Sequence, residues 1–257
     1  MKYLVFFVLI TLTLPLFAQI DADATEKTKI LYANLRKIQD SPGFLFGQEF
    51  FNSFRYSSGS AHGDEEYSDS HAVTGAHPAV LGSDFHYYLE KNPTERSYHT
   101  DAVKWAFQQG FVITFDWHIS GRNTTTYEYN ATSANLVNNI VNHVGDDREW
   151  FYGELDRVID IINNDLVVGE DNIPIVFRPF HEMNGGWFWW GSSATSATNY
   201  KTFYQMVVDY VKERTNSVLF CWSPNTPMNM SYFPGNDYVD VLGLDAYEVN
   251  AQSLRSN

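Results

Sequence analysis

Six short apolar runs punctuate the chain, and each closes on polar residues of a kind that can do chemistry. They are Phe44–Glu49, Ala79–Asp84, Phe111–His118, Ile173–Glu182, Ser217–Pro224 and Val239–Tyr247. Continuous hydrophobicity over so few residues predicts strands buried on both faces. Between the runs, apolar residues recur at three- and four-residue steps, as in Ile30, Leu31, Leu35 and Ile38 within 23–40. The same spacing marks 100–109, 148–163 and 197–214, and predicts amphipathic helices. Strands alternating with helices imply a parallel sheet covered by helices. Two polar stretches, 56–70 and 123–135, read as surface loops.

A parallel sheet of this kind is either an open doubly wound sheet or a closed barrel. The glycine-rich phosphate loops of nucleotide-binding open sheets, G-x-G-x-x-G and G-x-x-x-x-G-K, are absent. Six strand ends carrying Gln48-Glu49, Asp84, His118, His181-Glu182, Asn225 and Asp245 to Tyr247 favour the barrel, whose chemistry sits at its strands' C-terminal ends. The expected fold is therefore a (β/α)8 TIM barrel with about six of its eight strand–helix units present. The seventh and eighth are expected to lie beyond the sequence given, since only residues 248–257 follow the sixth run.

Composition sharpens this picture at four points. Aromatic residues make up 16% of the chain, enough both to fill a core and to offer flat platforms to sugar rings. The formal net charge of -14 disfavours nucleic acid and other polyanions as partners, and suits a neutral substrate. Cys221 is the single cysteine, which rules out an intrachain disulfide, and its apolar surroundings predict a buried thiol. Residues 1–18 combine Lys2, an apolar stretch from Tyr3 to Phe17 and a cleavage point near Ala18. They are expected to be a signal peptide that sends residues 19–257, a partial catalytic domain, to the periplasm or outside the cell. The stretch falls short of the roughly 20 apolar residues of a membrane span.

Glu182 is the leading catalytic candidate. Glycosidic cleavage needs a shielded carboxyl group to protonate the leaving oxygen, and a second carboxylate across the bond. Glu182 ends an apolar strand, follows His181 and precedes four aromatics at 187–190. A plain salt bridge to Arg178 is the structural alternative. Zinc-peptidase chemistry is disfavoured because position 185, where a second histidine would stand, is glycine. No G-x-S-x-G elbow supports a serine hydrolase.

The segment Arg178-Pro-Phe-His-Glu-Met-Asn-Gly-Gly-Trp-Phe-Trp-Trp-Gly191 resembles the acid/base signature of glycoside hydrolase family 26, the endo-β-1,4-mannanase family. Thr114-Phe-Asp-Trp-His118 and Val239–Tyr247 extend the resemblance along nearly all of the chain after residue 18. It implies a secreted, endo-acting, retaining hydrolase of β-1,4-mannosidic bonds that needs neither cofactor nor metal. Glu182 would be proton donor and then general base. His118, His181, Trp187, Trp190, Asp245 and Tyr247 would bind substrate, with Tyr247 also hydrogen-bonding the nucleophile. Trp117 and Trp222 read as packing. The family's nucleophile is a glutamate on the seventh strand; Glu49, Asp116 and Glu248 do not match its motif, so the chain as given is expected to be nearly inactive. Two other readings stay open: an inactive carbohydrate-binding barrel, and the same fold acting on xylan or mixed-linkage β-glucan.

Overall fold

A computed structural model describes residues 19–130 and 135–247. The expected signal peptide and Glu248 lie outside the described residues. All six apolar runs form strands of one sheet, shorter than the runs themselves: β1 (Gly47–Glu49), β2 (Val80–Asp84), β3 (Val112–Trp117), β4 (Ile175–Pro179), β5 (Val218–Trp222) and β6 (Val241–Leu242). They pair in chain order, each parallel to the next. Helices α1 (Glu26–Gln39), α2 (Asp69–Thr74), α3 (Phe85–Leu89), α4 (Pro93–Gln108), α5 (Leu136–Asn142), α6 (Asp147–Asp160) and α7 (Ala197–Lys212) complete the frame. Sequential parallel strands with helical crossovers are a partial (β/α)8 barrel, six units of it.

Strand alternation divides the residues between two cores. Ile113, Phe115, Trp117, Ile175, Phe177, Val218, Phe220 and Trp222 face the helices in one large cluster. Between them in sequence, Val176, Leu219 and Cys221 turn inward and pack with Val112, Val241 and, from α1, Leu31 and Leu35. Higher on the inner face the side chains become charged. The register sets Asp84 beside Asp116 and Asp116 beside Arg178. The period of two thus places a polar layer directly above an apolar one.

The helices follow from caps and stripes. In α7, Tyr200, Phe203, Tyr204, Val207, Val208 and Val211 form one buried face, and Ser196 accepts the Asn199 N–H at its start. Burying each of these side chains contributes about 1.5–3 kcal/mol. The expected helix at 100–109 begins earlier, at Pro93, because Asn92 caps the Glu95 N–H and proline suits the first turn. The loop expected at 56–70 contains part of a two-residue hairpin, Phe54–Arg55 with Ser60–Ala61, and the start of α2. Helices α2, α3 and α5 were not legible, being too short for periodicity to register.

Candidate active site

The strand ends converge on Glu182, three residues past β4. Phe180 and Glu182 adopt φ of +52° and +54°, a region uncommon for side-chain-bearing residues and costing on the order of 1–3 kcal/mol each. Hydrogen bonds hold this bent segment at every step. Tyr200 Oη donates to the Phe180 carbonyl at 3.1 Å, Trp190 Nε1 to the His181 carbonyl at 2.9 Å, and the Glu182 N–H to the Ser223 carbonyl at 2.8 Å. Glu182 is 4% exposed. Both of its carboxylate oxygens accept a hydrogen bond: Oε2 from Trp187 Nε1 at 2.7 Å and Oε1 from the Tyr247 hydroxyl at 2.5 Å. The bond to Glu182 and partial burial push the Tyr247 phenol up to about 12.

Arg178 is not the partner of Glu182. It bonds Asp245 through Nη1 at 3.0 and 3.1 Å, and Asp116 through Nη2 at 3.0 Å. Asp245 also accepts from Ser223 Oγ at 2.6 Å. Its carboxylate thus holds Arg178, and the sugar contact that the resemblance implies for it would be made beside that pair. Glu49 completes this layer: a Cβ on Gly82 would lie 1.9 Å from Glu49 Oε2, so only glycine leaves that carboxylate room. Burial and then the charge of Asp84 push Asp116 up to about 7.

His118 and His181 stand together, ring centroids 4.7 Å apart. Burial works against a charged His118, but its hydrogen bond to Asp84, 2.7 Å, and the nearby carboxylates lift it above the ordinary imidazole value. His181 is held well below that value by burial, with Arg178 and His118 adding to it, and is neutral.

Of the two tryptophan candidates, Trp187 alone offers an open face, at 41% exposure. Trp190 is fully buried, stacked on Phe188 at 4.4 Å. It is no platform; it supports His181 from below, because its indole N–H is committed to the backbone. Trp189, Trp117 and Trp222 are also buried, the last two as expected. Tyr247 donates its hydroxyl to Glu182, and the nucleophile it is expected to meet lies outside the described residues.

Sequence reasoning missed two supports of the site. Asn184 binds the loop after β5 on both sides, accepting the Asn225 N–H at 2.7 Å and donating to the carbonyls of Asn225 and Pro227. The segment around Tyr127 pairs with 187–189 through the Tyr129 N–H to Trp187 carbonyl and Trp189 N–H to Tyr127 carbonyl bonds. Only the Asn-Gly-Gly after Glu182 hinted at either. A cleft of 260 Å³ runs beside His118, lined by Glu49, Asp84, Tyr87, Asp116 and Tyr127. A larger cavity of 770 Å³ lies elsewhere, against α4 and α6, and reaches none of these strand ends.

A strand-end carboxylate with an exposed tryptophan beside it, on a parallel α/β half-barrel, defines the class of carbohydrate-active barrels. Residues 20–256 match the model of Glycosyl hydrolase family 26, and the chain belongs to that family. It is 30% identical over 246 residues, 89% of its length, to a mannan endo-1,4-beta-mannosidase of Bifidobacterium adolescentis, of which it covers 24%. Relative to mannan endo-1,4-beta-mannosidase A and B of Caldalkalibacillus mannanilyticus it is 28% identical, covering 71% of this chain and 38% of that protein. The chain thus spans well under half the length of these relatives. Its fold matches a modular endo-beta-1,4-mannanase from Cellulomonas fimi with a TM-score of 0.81 at 29% identity, over 93% of this chain and 56% of that one.

Proposed function

We propose that this chain is the greater part of the catalytic barrel of a secreted endo-acting β-1,4-mannan hydrolase. The observation that carries the reading is the Glu182 carboxyl group, buried at the end of β4 and clasped by Trp187 and Tyr247, with the Trp187 face open beside it. The buried carboxyl is the proton donor to the leaving oxygen and then the general base for water. Trp187 stacks on the sugar next to the cleavage point, and His118 contacts the sugar on its other side. His181, neutral and packed between His118 and Trp190, orients the site. The second carboxylate of a retaining mechanism, about 5–5.5 Å from the first, belongs on a seventh strand pairing with β6. Family membership and mannanase relatives support mannan as substrate; the apolar leader at residues 1–18 supports export, and no helix among the described residues is long and apolar enough to cross a membrane.

The test is hydrolysis of β-mannan, β-glucan and xylan by the chain extended through the two following strand–helix units, with Glu182→Gln beside it. Mannan is expected to be cleaved internally with retention of configuration. The Gln variant is expected to be about 10²- to 10⁴-fold slower. Full activity of Glu182→Gln on polysaccharide, or inverted products, would defeat the mechanism; preference for xylan or glucan would defeat the substrate.

A further inference from the structure

Three side chains from neighbouring strand ends meet beside the cleft: Asp116 and His118, which line it, from β3 and its end, and His181 after β4. One ligating atom from each lies within 4.8 Å of the others. Two of the three carry unused capacity, since His181 Nδ1 and Asp116 Oδ1 are buried and have no hydrogen-bond partner. His181 as a whole is 3% exposed. The third is already oriented. His118 Nδ1 bonds Asp84 Oδ2 at 2.7 Å, which leaves Nε2 for a ligand. A carboxylate behind an imidazole is the usual support of a metal-binding histidine.

We propose that Asp116, His118 and His181 form a site for a divalent transition-metal ion of the zinc, cobalt or nickel class, filled in competition with the sugar. One carboxylate oxygen and two imidazole nitrogens are a donor set that suits such ions. Donors about 2.0–2.1 Å from a shared tetrahedral ion lie roughly 3.3 Å apart, so the three must close by at most about 1.5 Å. Glu49, Asp116 and Asp245 surround Arg178, and Asp84 adjoins Asp116, so four carboxyl groups lie around one guanidinium. The sequence hid this site because its donors come from two strands, brought level by the pairing of Trp117 with Pro179. No step of glycoside cleavage passes through the ion; bound there, it inhibits by occupying the place of the sugar beside His118.

The experiment titrates the purified enzyme, extended through the two following strand–helix units, with CoCl2, following visible absorption, and with ZnCl2 by calorimetry. One equivalent is expected to bind, with d–d bands of a low-coordinate ion. His118→Gln and His181→Gln should each weaken binding by more than about 100-fold, beyond the 10- to 100-fold expected for Asp84→Asn, which removes only the orienting carboxylate. Replacing His71 and His77 together should change nothing; their rings stack at 4.3 Å and are the obvious competing pair. Should a variant fail to fold, imidazole NMR of the unaltered chain decides, with zinc expected to shift His118 and His181 but not His71 and His77. Binding lost with the His71/His77 pair, unchanged in His118→Gln and His181→Gln, or absent at millimolar metal would overturn the proposal. Displacement of cobalt by a mannooligosaccharide tests the competition, and that arm alone rests on the mannan reading. Metal binding without displacement removes the competition and leaves the site; no metal binding with intact mannan hydrolysis removes the site alone.

Discussion

The Tyr247 hydroxyl stands 2.5 Å from Oε1 of Glu182, joining the end of the sixth strand to the carboxylate after the fourth. With Trp187 on the other oxygen, Glu182 is fixed by donors from two different loops. The orientation of the proposed proton donor thus depends on residues 5 and 65 positions away in sequence.

Removing either donor should slow chemistry more than binding. Tyr247→Phe and Trp187→Phe keep an aromatic ring and lose one hydrogen bond to the carboxylate. A bond to a charged group contributes about 1.5–3 kcal/mol, so kcat on β-mannan should fall about ten- to a hundredfold in the extended enzyme. KM should change little for Tyr247→Phe. Steady-state kinetics check this, and an unchanged kcat would mean the clasp does not matter to the reaction.

Gly185 sets the position of Trp187, the proposed stacking platform. A Cβ there would lie 2.3 Å from the Trp187 ring, so Gly185→Ala must push the indole aside. Loss of a stacked face on the order of 1 kcal/mol predicts about fivefold weaker binding of mannohexaose. Tryptophan fluorescence titration measures it, and a circular dichroism melt separates displacement from unfolding.

Acid should destabilise the fold partly through His99. This residue is 1% exposed, with Nδ1 2.9 Å from Ser53 Oγ, and burial lowers its pKa to about 4. The folded state therefore keeps it neutral while the unfolded chain protonates near 6.5. Its contribution is full above pH 6.5 and is lost as pH falls toward 4, by on the order of 3 kcal/mol. Urea melts of His99→Gln should show a shallower decline over that window than the unaltered chain.

Asp116 acts with the opposite sign. Its carboxyl, pushed up to about 7, binds a proton more tightly in the folded state than in the unfolded chain. The stability this gives is full below about pH 4 and is lost as pH rises through 7. Asp116→Asn should remove that decline, so the stability difference between variant and unaltered chain moves in the variant's favour from pH 4 to 7. Paired melts at several pH values decide it; a difference that does not vary with pH would mean Asp116 titrates normally.

Much of the frame was legible in the sequence, and for a local reason. Strands buried on both faces and helices with one apolar stripe write themselves as runs and periods, so β1 to β6, α1, α6 and α7 fell where the pattern put them, give or take their ends. Glu182 and His181 were legible because they close the longest apolar run and precede a dense aromatic cluster. The aromatic cluster itself was not resolved by sequence: four rings in a row look equally suited to stacking. Trp187 is exposed while Trp189 and Trp190 are buried, because the turn through Gly185 and Gly191 folds the segment back on itself. A Cβ on Gly191 would sit 2.5 Å from the Gly185 carbonyl, so that fold requires glycine.

By itself, then, the sequence determined the parallel α/β layout and pointed to the strand ends and to Glu182 as the candidate site, since hydrophobic periodicity and motif spacing are properties of neighbouring residues. The tertiary structure alone decided the partners: Arg178 with Asp116 and Asp245, Glu182 with Trp187 and Tyr247, and His118 with Asp84 and His181. Those pairings arise from the register between strands and the twist of connecting loops, which bring together residues up to 67 positions apart. No local pattern encodes them.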